Sequence, residues 1–422
     1  MKTYNEIKEY IEQLEIIDVH EHLIKDELRI QKYQDYMSLV FSNYVNTNAI
    51  SAGISQEEIA VIQGNCDIAE KNHIYRKACE NIQNTTSYRC MDMAFRHFYG
   101  MGVLDSDFRE LNDRYCAANK SGFTYQTLKQ MKVKWAVNDV FDISMQNTDY
   151  EMDKRIFKNS ARCDKYIMIH EYLSEVEKEH CVKIESLEEL CSVIKKYICM
   201  QKNVYHAAAL KIAVAYYRSL YFEPVKKEIA EKIFQKIISL RKKGQKVSLD
   251  EACPLCDYIV HYIIAAAGGM HLPIQIHTGL QDRNVNYLHH SHPLLLNNLF
   301  ERYPDVTFIL FHTGYPYGRE AGILAKMFPN VYVDFSWVHA ISSIYAIELM
   351  KEYFEVIPAN KFCGFGGDFC NVEGAFGHLR LAKENLSLAI ADLVERGWYS
   401  AFYGMHLAKQ ILYDNPKQIY GI

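Results

Sequence analysis

The chain has 422 residues, 49% of them apolar, enough for a sizeable core and too many for a disordered chain. Its 47 lysines and arginines face 52 aspartates and glutamates, a net charge of −5, so no nucleic-acid or anionic-membrane surface is expected. Twelve scattered cysteines, and an opening stretch MKTYNEIKEYIEQLEIIDVH without the apolar run of a secretory signal, point to reduced thiols in a cytoplasmic protein.

The first β-rich run is IIDVH (16–20). Residues 25–130 then read as helical, with amphipathic stretches such as CDIAEKNHIYRKACENIQ and SYRCMDMAFRHFYG. A structureless loop of that length is implausible, so the segment is expected to be a helical insertion capping the C-terminal face of the strands. Three further β-rich runs follow: VKWAVND (133–139), KYIMIHE (165–171) and AALKIAVA (208–215). A second helical stretch covers 216–268 and contains the lone pair Cys253 and Cys256, read as ordinary thiols rather than a zinc ribbon. YIVHYIIAAAGGMHLPIQI is interrupted by two glycines, histidines and Pro273, and reads as a helix end, a turn and a strand, not a membrane span. The remaining strands are LPIQIH (272–277), VTFILFH (306–312), NVYVDFS (330–336) and KFCGFGGD (361–368). Between them, HPLLLNNLFERYP and YGREAGILAKMFPN have helical apolar spacing and stop at Pro304 and Pro329. Eight strands alternating with helices predict the α/β class, a parallel (β/α)8 TIM barrel formed by residues 1–422 as a single domain.

Residues i and i+2 of a strand share a face, so His20 and His22 point the same way, with Asp18 one layer deeper; Gln275 and His277 pair likewise. Polar residues at strand ends are His20 and His22 (first), His277 (fifth), His312 (sixth) and Asp368 (eighth). In a TIM barrel that is the catalytic face. Imidazoles with a carboxylate suit Zn²⁺ or a similar divalent ion, which would lower the pKa of a bound water towards about 7. The HxH pair alone is weak, since about one is expected by chance in such a chain. A second, His290-Ser-His292, reads as a loop, and His170-Glu171 lacks the second histidine of a metalloprotease helix. The constellation over four strands is the stronger signal.

Through DVHEH, PIQIHTGLQD, FILFHTGYPYGREAGILAKMFPNVYVDFS and GFGGDF, the chain resembles the amidohydrolase superfamily in its amidohydrolase-related (amidohydrolase 2) branch. It is similar to the amidohydrolase-like domains fused to glutamine synthetase, and more distantly to uronate isomerases. The resemblance implies His20, His22 and His277 as metal ligands, Asp368 as ligand and proton shuttle, and His312 as a ligand or a group polarising the substrate. In binuclear relatives a carbamylated lysine bridges two metals. Lys211 lies on the fourth strand, but early in it, so pairing with an acid such as Asp18 is favoured and one divalent metal is expected. Arg218 and Arg319 are candidate clamps for a substrate anion, because guanidinium forks suit carboxylates. Tyr217, Tyr315 and Tyr317 are candidate pocket residues, and Trp337 is wall or core. Glu21, between the two histidines, should face away and is excluded from the metal shell.

The expected function is a metal-dependent hydrolase, with metal-activated water attacking an amide, lactone or ester carbonyl of a small, acidic substrate. The alternatives are a decarboxylase or uronate-isomerase-like enzyme using the same site, and a non-catalytic binding domain. The expected partner is a small molecule, with neither nucleic acid nor membrane, and homo-oligomers are common among such barrels.

Overall fold

The computed structural model of the chain describes residues 2–139, 152–282 and 284–422. Eight strands form one sheet in chain order: β1 (Ile16–Glu21), β2 (Val133–Asn138), β3 (Phe157–Arg162), β4 (Ala209–Ile212), β5 (Ile274–Ile276), β6 (Phe308–Leu310), β7 (Val331–Asp334) and β8 (Phe362–Cys363). The pairs β1–β2, β3–β4, β4–β5, β5–β6 and β6–β7 are parallel, and helices connect most successive strands. This is the (β/α)8 architecture predicted from the alternation of runs.

The third strand needs correction. KYIMIHE is not a strand; it lies in two helices, Asp164–Ile167 and Ile169–His180, and the strand is the preceding FKNSAR. A short apolar run fits a buried strand and a buried helix equally. The wider window decides: Tyr166, Ile169, Leu173 and Val176, all buried, recur at helical spacing. FKNSAR reads as polar because Ser160 is turned to Gln275, whose Oε1 accepts from the serine hydroxyl at 2.6 Å, while its Nε2 donates to Tyr420 at 3.0 Å. Gln275 is thus a satisfied buried amide.

The chain forms two compact units. The first comprises residues 1–157, 282–286 and 334–418, and carries β1, β2 and β8. All six residues of β1 are buried, as expected for a parallel strand covered on both faces. Segment 25–130 is helical throughout, in eight helices from Asp26–Lys32 to Phe123–Gln130. Their starts are written in the sequence: Asp35, Ser55, Thr85 and Asp107 each accept a backbone N–H of the following turn. Helix Thr86–Tyr99 packs on helix Val372–Glu395, where Gly377 allows close backbone approach; a Cβ there would meet the Cys90 carbonyl oxygen at 1.9 Å.

The second unit comprises residues 158–281, 287–333 and 419–422. It carries β4, β5, β6 and most of β3 and β7, and the helices Lys227–Arg241 and Leu249–Gly268 that fill the expected second helical stretch. The strands are short, so His277 directly follows β5 and His312 lies in the turn after β6. All twelve cysteines are free thiols, and no described helix is long and apolar enough to cross a membrane.

Candidate metal centre

Three of the expected ligands converge in the first unit. His20 Nε2 lies 3.2 Å from His22 Nε2, and Asp368 Oδ1 lies 3.3 Å from the first and 3.1 Å from the second. The imidazole rings meet edge to face, with centroids 4.6 Å apart. The group is largely buried, only His22 reaching partial exposure. His22 Nδ1 donates to the Asp139 carbonyl at 2.6 Å, which fixes the tautomer and leaves the Nε2 lone pair facing the cluster. Two imidazole nitrogens turned towards each other and towards a carboxylate oxygen want a cation between them. Ligands about 2.1 Å from a tetrahedral ion stand about 3.4 Å from each other, so the observed separations fit a divalent metal. Glu21 is not among the three residues of this group.

Asp368 is brought there by an unusual turn. Its φ of 59° is left-handed, a conformation that costs an L-residue roughly 1 kcal/mol. It lies beyond the end of β8, yet the segment still pairs with β1: Val19 N donates to Phe365 O, Asp368 N to His20 O at 2.8 Å, and His22 N to Phe369 O. The strand-end reading of GFGGDF therefore holds in pairing, though not in regular strand geometry.

Below the ligands sits a buried acid pair, Asp18 and Glu21, both 0% exposed. Asp18 Oδ1 accepts from the backbone N–H of His20 and of Gly367, and Glu21 Oε2 accepts from that of Phe369. The remaining oxygens, Asp18 Oδ2 and Glu21 Oε1, have no donor. Burial pushes the Asp18 carboxyl up to about 6 and drives Glu21 well above the carboxylate range, with the charge of Asp18 adding to it. A proton shared by the pair satisfies both oxygens.

In the second unit, His277 and His312 lie together. His277 Nε2 donates to Leu280 O at 2.9 Å, so its Nδ1 is the acceptor for His312 Nε2 at 3.1 Å. His312 also has a left-handed backbone, φ 61°. The position of Lys211 needs correction: β4 ends at Ile212, so Lys211 is its penultimate residue and not an early one. The strand stops there because Ala213 N is captured by the Asp164 side chain at 2.7 Å and the chain enters a 3-10 turn. The Lys211 ammonium lies 3.4 Å from the centre of the Phe311 ring.

Arg218 does not have the open guanidinium of an anion clamp. It is buried, pairs with Asp257 at 2.5 Å, and donates to the carbonyls of Ser219, Tyr221 and Cys253. The sequence offered no hint of this partner, which stands on a helix 39 residues away. Arg319 is exposed in the first turn of helix Gly318–Met327, Tyr217 is exposed, and Tyr317 packs on His292 with centroids 3.9 Å apart. Trp337 is buried in the first unit and stacks on Tyr44 at 4.2 Å.

Comparison with known proteins agrees with the fold. Residues 240–422 match the Amidohydrolase family. Protein fluG of Emericella nidulans is 34% identical over 173 residues, 40% of this chain and 20% of that protein, so the match spans a fifth of the relative's length. Uronate isomerase from Thermotoga maritima superposes with a TM-score of 0.80 at 16% identity, covering 99% of this chain and 97% of its own. Glucuronate isomerase from Caulobacter crescentus gives 0.80 at 15% identity, covering 100% and 94%. Such identities show the fold. The resemblance to the amidohydrolase superfamily is borne out over residues 240–422. The family match includes Asp368 but not His20 or His22. The folded chain is what brings those histidines to it.

Proposed function

We propose that this amidohydrolase-like chain is a metal-dependent hydrolase acting on an amide, lactone or ester carbonyl of a small molecule. The observation that carries the reading is the mutual 3.1–3.3 Å spacing of His20 Nε2, His22 Nε2 and Asp368 Oδ1. These three residues would hold a divalent ion, with Zn²⁺ the first choice for such a donor set. When bound, the ion supplies Lewis acidity and a water acidic enough to react near neutral pH. The Asp139 carbonyl keeps the His22 Nδ1 proton away from the ligand side. Asp368 is the group that takes the proton from the attacking water and passes it to the leaving group. The buried acid pair beneath holds the Asp368 turn from below and, sharing a proton, adds one negative charge rather than two.

The resemblance also offers His277 as a ligand and His312 as a polarising group, and single alanine variants of each decide their part. With Arg218 committed to Asp257, an acidic substrate rests on Arg319. A second reading, interconversion of sugar acids, is favoured by the full-length fold match to two uronate isomerases.

The test is elemental analysis of the purified protein and of a His20→Ala/His22→Ala double variant, with a panel of lactones, esters and N-acyl compounds. Wild type should retain metal, the double variant should lose it, and Asp368→Asn should remove turnover while keeping the fold. Full metal retention in the double variant would sink the site. Aldose–ketose interconversion without hydrolysis would select the second reading.

A further inference from the structure

We infer that Asn43 and Tyr44, two residues of the helical insertion, are positioning residues of the metal centre. The inference rests on the metal reading above. It starts from the turn that carries Asp368. Four consecutive backbone N–H groups of that turn are captured: Gly367 by Asp18 Oδ1 at 2.9 Å, Asp368 by His20 O at 2.8 Å, Phe369 by Glu21 Oε2 at 3.0 Å, and Cys370 by Asn43 Oδ1 at 2.8 Å. The first three acceptors belong to β1. The fourth comes from the insertion. The carbonyl of Asp368 accepts from the Tyr44 hydroxyl, another insertion residue. Asn371 Nδ2 donates to the Ser42 hydroxyl at 2.9 Å, so three neighbouring insertion residues grip the turn.

Tyr44 is held rigidly. Its ring stacks on Trp337 at 4.2 Å with planes 18° apart, and meets Phe369 edge-on at 5.0 Å. A left-handed Asp persists only where its surroundings over-determine it. Here its own N–H is fixed by β1 and its own C=O by Tyr44, so the peptide groups on both sides are pinned and the carboxylate is left to face His20 and His22. Removing the Tyr44 hydroxyl frees the C=O side and lets the residue relax towards ordinary φ values, which withdraws Oδ1 from the two imidazoles. The insertion is thus part of what pre-forms the ligand set. Groups that orient a ligand in this way typically govern affinity by about 10–100-fold.

The test uses the full-length chain stripped of metal, with Zn²⁺ affinity measured by chelator competition and thermal midpoints recorded metal-free. Tyr44→Phe and Asn43→Ala should each weaken Zn²⁺ binding about tenfold. Asn43→Asp keeps an acceptor for the Cys370 N–H and should bind as wild type does. Tyr75→Phe is the control: it deletes another buried tyrosine hydroxyl bond of the insertion, to Val103 O at 2.9 Å, away from the turn. It should lower the metal-free midpoint as Tyr44→Phe does, yet leave Zn²⁺ affinity unchanged. Wild-type affinity in both Tyr44→Phe and Asn43→Ala overturns the inference, as does an equal loss in Tyr75→Phe. A wild-type chain that binds no zinc overturns the metal reading, and this inference with it.

Discussion

Replacing Glu21 by glutamine should make the metal-free protein gain stability over wild type as pH rises. Asp18 is fully buried, and burial raises its carboxyl from an ordinary value near 3.8 to about 6. The folded pKa exceeds the unfolded one, so the native chain holds an extra proton between those values. The stability this gives is complete below the unfolded pKa and is lost as pH climbs through 6. A shift of about two units corresponds to about 3 kcal/mol in full, of which about 1.4 kcal/mol falls between pH 5 and pH 8. Glu21, raised further, adds loss of the same sign. Glu21→Gln removes the Glu21 titration outright, and an amide N–H offered to Asp18 Oδ2 favours the ionised Asp18 against the burial that raises it, so the loss shrinks. Urea midpoints read with chelator present, at pH 5 and pH 8, give the difference directly, and groups remote from the substitution cancel. The variant should gain stability on wild type across that interval, the Asp18 part of the gain reaching about 1.4 kcal/mol where the amide fully offsets its burial. Parallel curves would refute the shared proton.

Two further outcomes follow from the same packing. In Gly367→Ala the new Cβ would stand 1.7 Å from Glu21 Oε1 and 2.4 Å from its Cδ, with both groups buried. The turn must shift at a cost of about 1–3 kcal/mol, seen as a lower urea midpoint together with weaker Zn²⁺ binding; a wild-type midpoint would show that the turn yields freely. His339→Gln tests a buried neutral imidazole. Burial lowers its pKa from 6.5 to about 4, so the unfolded chain binds more protons below pH 6.5, and stability is complete above that value and lost as pH falls towards 4. From pH 7 to pH 5 wild type should lose about 2 kcal/mol more than the variant, and an unchanged pH slope would show that His339 is solvated.

The elements legible in the sequence are those with one dominant local signal. Proline stops and helical spacing mark helix Gly318–Met327, and amphipathic spacing marks the insertion as helical. The third strand is not legible locally, because KYIMIHE fits strand and helix alike in a short window, and because FKNSAR spends its side chains on a buried amide network that no local pattern reveals. Lys211 reads as early in its strand because AALKIAVA is apolar to its end. The strand is cut short by Asp164, a long-range partner.

The site divides along the same line. His20 and His22 could be found because the two-residue period of a strand puts them on one face, and a face is a local property. Asp368 was found as a carboxylate closing an apolar run, but its geometry is not local at all. A left-handed turn has no sequence mark when the residue is Asp rather than Gly. It is held by acceptors from residues 18–21 and 43, more than three hundred positions upstream. Arg218 erred in the opposite direction: a lone guanidinium looks available until its buried carboxylate is seen. In both cases the missing information is which distant group satisfies a buried polar atom. That also explains why the insertion, where sequence resemblance is poorest, still matters to the chemistry. Its contribution is two hydrogen bonds to a backbone turn, made by one side-chain oxygen and one hydroxyl. The family match neither includes these residues nor would notice their loss, although the position of the carboxylate depends on them.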